Sequence, residues 1–151
     1  MKISKNFILQ EFIPEHIYKN YKENSCRFIR KGMIETAQEL RVVFGKTVIN
    51  DWAFGGRRSY SGYRDKNAIN IYSPLSAHSF GEAIDCVFED VTAEEARNYI
   101  LKNSAKFKYI TRIERDVGWL HVDGLYTGTE NIVFFDPPKL KNKKREAFTC
   151  L

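Results

Sequence analysis

The order of apolar and polar residues along the chain predicts helices first and short strands later. From about Arg27 to Phe44, the apolar residues Ile29, Met33, Ala37, Leu40 and Phe44 recur at steps of four and three. That spacing predicts an amphipathic helix, with Gly45 as its stop and Gly32 as a weak point inside it. Ahead of it, Ser4 is placed to cap a short turn. Pro14 suits the first turn of a helix running through His16, Tyr18 and Tyr21. Thr47–Trp52 has strand character. Residues 53–75 are rich in Gly, Ser, Tyr and Arg and show no period, which in a compact domain points to a functional or mobile loop.

Beyond that loop the period shortens. Glu82–Phe88 alternates as a strand would, with Ala83, Asp85 and Val87 on one face and Ile84, Cys86 and Phe88 on the other. Thr92 and Glu95 form a capping box that opens a second helix, with Ala96, Tyr99 and Ile100 facing inward. Phe107–Glu114 and Trp119–Asp123 read as paired strands around Asp116-Val117-Gly118, and Asn131–Phe135 as a further short strand before Pro137-Pro138. The predicted fold class is α+β, an antiparallel sheet flanked by helices. One domain spans residues 1–138, followed by a basic tail over 139–151.

Composition narrows the class. At 151 residues, 43% of them apolar and 14% aromatic, the chain has material for one globular core. No apolar run reaches the roughly 20 residues of a membrane span. The apolar run near the N-terminus, Phe7-Ile8-Leu9, is too short for a secretory signal, so synthesis in a bacterial cytoplasm is expected. Three cysteines without CxxC spacing (Cys26, Cys86, Cys150) do not make a disulfide framework, and Cys86 is expected in the core. The net charge of +5 is concentrated partly in Lys139, Lys141, Lys143, Lys144 and Arg145. This cluster reads either as a solvated tail or as a patch for an anionic polymer, nucleic acid or cell wall.

The candidate chemistry lies in Ser76-Ala-His78-Ser-Phe-Gly81-Glu-Ala-Ile-Asp85. An aspartate in so apolar a strand is costly to bury unless a cation meets it. Gly81 allows a sharp reversal that could carry His78 over Asp85. His121 is available as a third ligand, and two histidines with a carboxylate form a common catalytic zinc set. The competing reading is a strand-end carboxylate and a loop histidine with no metal. A hydrolytic site also needs a proton acceptor. If Val117-Gly118 are the two loop residues of a hairpin, Asp116 pairs with Trp119, Arg115 with Leu120 and Glu114 with His121. Paired residues share a face, which sets Glu114 beside the third ligand. A shift by one residue favours a neighbour, with Asp116 the runner-up base. The alternative is a surface carboxylate paired with Arg112 or Arg115.

Three motifs carry a family resemblance: Ser61-Gly62-Tyr63-Arg64, Ser76-x-His78-x-x-Gly81-x-Ala83-x-Asp85, and Trp119-Leu120-His121-Val122-Asp123. With the opening Phe7-Ile-Leu-Gln-Glu-Phe12, they make the chain resemble the zinc D-Ala-D-Ala carboxypeptidases. That family includes the L-alanyl-D-glutamate endopeptidases of phage lysins and shares its fold with the hedgehog signalling domain. The resemblance covers residues 1 to about 135. It implies zinc on His78, Asp85 and His121, Arg64 on the scissile carbonyl oxygen, and substrate contacts from Ser76 and Tyr63. Several members carry a glutamate three residues before the last histidine, where this chain has Gly118. Carrying the base over to Glu114 therefore depends on the hairpin register.

The expected activity is zinc-dependent hydrolysis of peptidoglycan stem peptides, by a monomer acting on the cell wall after release or from a virion. A zinc-stabilised module that binds cell-wall peptide without cutting it is the alternative. Nucleic-acid binding through the basic tail is a weaker third, since no reading motif is present.

Overall fold

A computed structural model of the protein describes residues 1–136. Three helices, α1 (Glu15–Tyr21), α2 (Lys31–Phe44) and α3 (Ala93–Lys102), accompany five short strands. These are β1 (Thr47–Val48), β2 (Ala83–Phe88), β3 (Arg112–Glu114), β4 (Leu120–Asp123) and β5 (Val133–Phe135). They form one sheet in the order β1-β2-β4-β3-β5. The fold is mixed α+β, as expected. The sheet is not purely antiparallel, however, because β5 runs parallel to β3. A chain that reverses after β4 runs antiparallel to β4. Both edges of β4 are already taken by β2 and β3, so the new strand lands outside β3, which itself opposes β4.

The register divides the sheet into two chemically distinct faces. Ile84 opposes Val122, Cys86 opposes Leu120 and Ile113 opposes Val122, so these five residues share one face. That face meets the core, where Met33, Ala37, Leu40 and Phe44 of α2 and Ala96 and Ile100 of α3 are buried. Each fully buried Leu or Ile there contributes about 1.5–3 kcal/mol. Phe7, Leu9, Phe12 and Ile13 of the N-terminal segment belong to the same core. On the opposite face, Asp85 opposes His121, and Asp123 opposes both Ala83 and Arg112. All the candidate chemistry of the strands lies on that second face.

Several boundaries differ from the expected ones. The long helix starts at Lys31 rather than near Arg27, because Lys22–Phe28 is a 3-10 segment and Ile29 and Arg30 are extended. The Arg30 amide donates to the Gly81 carbonyl instead of entering the helix. Ile29 still reaches the core. Pro14 is the residue before α1 rather than within its first turn. Ser4 Oγ donates to Gln38 Oε1. Only Thr47–Val48 of the first predicted strand and Arg112–Glu114 of the third pair in the sheet. Phe107 and Ile110 are buried in the core without being paired. The Thr92–Glu95 capping box forms as expected. No helix among the described residues is long and apolar enough to cross a membrane. Cys26 and Cys86 are free thiols, the latter in the core. The basic tail and Cys150 lie outside the described residues.

Candidate metal centre

β2 and β4 bring the first two ligands together directly. Asp85 and His121 are register partners, and Asp85 Oδ1 lies 2.8 Å from His121 Nδ1. His78 comes from the 3-10 turn Ala77–Phe80, which ends at Gly81 with φ +69°. The reversal there sets His78 Nε2 3.3 Å from Asp85 Oδ1 and 3.2 Å from His121 Nδ1. A Cβ on Gly81 would stand 2.0 Å from the Phe28 carbonyl oxygen, so glycine is required both by the left-handed backbone and by the space. One ligand atom from each of His78, Asp85 and His121 lies within 4.8 Å of the others, and all three residues are buried.

The surroundings decide which nitrogen each histidine offers. His78 Nδ1 donates to the Gly62 carbonyl at 2.7 Å, leaving Nε2 for the centre. His121 Nε2 donates to Asp123 Oδ2 at 3.2 Å, leaving Nδ1. Asp123 is fully buried and is itself gripped by Arg112, through Nε and Nη2 at 2.8 Å each. Outer hydrogen bonds of this kind fix ring orientation and tautomer in metal sites.

The Ser61–Arg64 segment is irregular but pinned along its length. The Ser61 amide donates to Asn50 Oδ1, and its carbonyl accepts from the Asp85 amide at 2.7 Å. The Tyr63 amide donates to the Phe12 carbonyl, and the Arg64 amide to the His78 carbonyl. Gly62 lies so close to the Phe12 carbonyl that a Cβ would come within 2.2 Å of its oxygen. Within the loop predicted to be functional or mobile, Ser61–Arg64 is therefore a pinned segment. A further tie comes from His16, whose Nε2 lies 2.9 Å from Asp65 Oδ2.

Charge is concentrated in this small volume. Burial alone would raise the Asp85 carboxyl, but the imidazoles of His78 and His121 hold it far below the usual carboxylate range. Burial pushes His78 down, against the pull of Asp85. Burial also opposes charge on His121, yet its hydrogen bonds to Asp123 and Asp85 carry it up to about 9. Without an ion, His121 thus holds a proton on the nitrogen that would meet the metal. Two imidazoles and a carboxylate, each histidine committed by an outer acceptor to presenting one nitrogen inward, could hold a metal ion. No family model, curated protein or solved structure matches the chain.

The other expected site residues are placed as follows. Arg64 meets the centre through an Nη2 contact to Asp85 Oδ2, and its Nε donates to the Tyr60 carbonyl at 2.5 Å. The observed pairs Arg112–Asp123 and Ile113–Val122, continued by one step, set Glu114 opposite His121. Glu114 is half-buried and stands outside the three-ligand group. Burial raises its carboxyl, the charge of His121 pulls it down, and that of Asp85 raises it again. Asp116 sits exposed in the connection with φ +56°, at the turn. Ser76 immediately precedes the His78 turn, and its carbonyl accepts from the Ser79 amide. Tyr63 stacks on Phe28 with ring centroids 4.9 Å apart. Asp123, quoted in the third motif without a role, is the residue that sequence reasoning missed. Its signal was parity, since two residues beyond His121 on a strand means the same face.

Proposed function

We propose that the protein is a zinc-dependent peptidase acting on peptidoglycan stem peptides. The observation that carries this reading is the convergence of His78, Asp85 and His121 in one buried group, with Glu114 one residue beyond the last β3–β4 pair and within reach of the charges of His121 and Asp85. The substrate class rests on the resemblance of the three motifs to the D-Ala-D-Ala carboxypeptidases and phage endopeptidases. Zinc held by His78, Asp85 and His121 would supply Lewis acidity toward water and a peptide carbonyl.

The chain's own residues supply the rest. Glu114, raised by burial, accepts a proton from the attacking water and returns it to the leaving amine. Arg64, fixed through Nε on the Tyr60 carbonyl, keeps its guanidinium where negative charge develops on the carbonyl oxygen. Asp123 and Arg112 keep the His121 ring from turning.

The test is mass spectrometry of purified peptidoglycan incubated with zinc-loaded protein and with its Glu114→Gln variant. Glutamine keeps the shape of glutamate but cannot accept the proton. New peptide termini should appear with the wild type. The variant should keep its zinc and turn over more slowly by a factor on the order of a hundred to ten thousand. Asp116→Asn should be nearly silent. Zinc-loaded wild type that binds muropeptides but releases no termini between about pH 6 and 9 would establish a binding module instead.

A further inference from the structure

The α3 helix buries one charge. Arg97 is 4% exposed, on a helix whose other buried residues are Ala96 and Ile100. An isolated buried guanidinium is costly, so its partners show what it is for. Its Nε donates to the Glu114 carbonyl at 2.9 Å. Nη2 donates to the Val117 and Trp119 carbonyls, each at 2.7 Å. Nη1 reaches Glu94 Oε2 at 3.2 Å, a carboxylate out at the rim. Three of the four bonds therefore go to carbonyls within the six residues from Glu114 to Trp119.

That segment has little else to hold it. The pairs between β3 and β4 end at Ile113 and Val122, so the ladder stops short of Glu114 and His121. On the far side β5 contributes, with Glu114 opposite Phe135 and the Arg115 amide on the Phe135 carbonyl. On the near side the grip is Arg97. A guanidinium is a planar fork with five donors, able to hold several carbonyls in fixed directions at once, whereas an ammonium is a single point.

We propose that Arg97 is a positioning residue of the hydrolytic site, fixing the Glu114 carboxylate beside His121 by holding the carbonyls of Glu114, Val117 and Trp119. This rests on the peptidase reading, and it adds a control point on α3, a helix that contributes no ligand.

The experiment uses Arg97→Met, which keeps an apolar stem and removes the donors, and Arg97→Lys. Each is made alone and together with Glu114→Gln in the zinc-loaded protein. Metal content, amide hydrogen exchange, and kcat and KM are measured. Arg97→Met should keep its zinc and exchange faster only within residues 114–120. It should lose roughly a hundredfold in kcat with KM little changed, the scale of a displacement of about 1 Å. In the Glu114→Gln background the same substitution should change kcat by less than about twofold, because residues acting as a unit are not additive. Arg97→Lys should fall between wild type and Met, and it carries the comparison if the Met variant does not fold.

Unchanged exchange in 114–120 overturns the proposal. An equal loss of kcat in both backgrounds overturns it too, since Arg97 then supports only the fold. If the wild type cuts no substrate, the peptidase reading fails on that result, and the exchange data alone uphold or overturn the clamp.

Discussion

The two halves of the candidate site are built on different principles. The ligand half sits on β2, β4 and a tight turn, with His78, Asp85, His121 and the supporting Asp123 all buried. Each of its histidines is fixed by an outer acceptor. The half that carries the proposed base, Glu114, is a half-exposed strand end and an irregular connection, held by one arginine from α3 and by the edge strand β5. The first half is held by the β2–β4 ladder and by the buried turn that carries His78, and the second only as far as Arg97 and β5 hold it. A metal site tolerates little displacement of its ligands.

The comparison fails if the halves do not separate in experiment. The largest effect is expected in the ligand half, where a His78→Ala, His121→Ala double variant should lose its metal altogether by elemental analysis. Retained stoichiometric zinc would place the metal elsewhere and remove the basis of the division. Glu114→Gln stands next in size, with metal kept and turnover lost. Arg64→Ala bridges the halves, since Arg64 touches Asp85 and is proposed to meet the substrate carbonyl. It should cost about a hundredfold in kcat with metal content unchanged. A variant that loses metal instead would assign Arg64 to the ligand half. Asp123→Asn should weaken metal affinity by roughly ten- to a hundredfold, read by chelator competition. An unaltered affinity would show that His121 needs no orienting carboxylate.

The most discriminating effect is in pH. His121, raised from 6.5 to about 9, carries a proton where the ion would bind. Apparent metal affinity should therefore rise by up to about tenfold per pH unit through this range and level off above it. For the metal-free protein, a raised folded-state pKa gives stability that is complete below 6.5 and lost as pH climbs to about 9. Its thermal midpoint should fall over that window, and a His121→Gln variant should not share the fall. A flat profile in the metal-free wild type would mean that the proton is not held at His121.

The part of the ligand half on His78 and Asp85 was legible in the sequence because its determinants are local. His78, Gly81 and Asp85 lie within one turn and one strand, and alternation alone puts Asp85 on the face away from Ile84 and Cys86. Glu114 was read from hairpin register. The pairs Arg112–Asp123 and Ile113–Val122 keep that register, but the ladder ends there, and the expected pairs of Glu114, Arg115 and Asp116 with His121, Leu120 and Trp119 do not form. Arg97 was not legible, because its partners are carbonyls in an irregular connection and carry no side-chain signature. The start of α2 was misplaced because Ile29 keeps the apolar spacing although its backbone is extended and bends to meet Gly81. The parallel strand β5 was hidden for another reason. Its direction depends on which sheet edge is free, and that follows from the whole topology rather than from residues 131–135.

The pairing of Asp85 with Arg64 has a consequence for biosynthesis. Asp85 and His121 are separated by 36 positions, and a ribosome adds about 5–20 residues each second. For roughly 2 to 7 s of translation, then, the nascent chain contains the aspartate but not the imidazole that will oppose it. Phe135, whose ring closes over His121 at 5.5 Å, comes later still. Arg64 precedes Asp85 in the chain, so the carboxylate is made with its guanidinium partner already present. His78 precedes Asp85 too, so the order of residues along the message leaves His121 as the last of the three to be made.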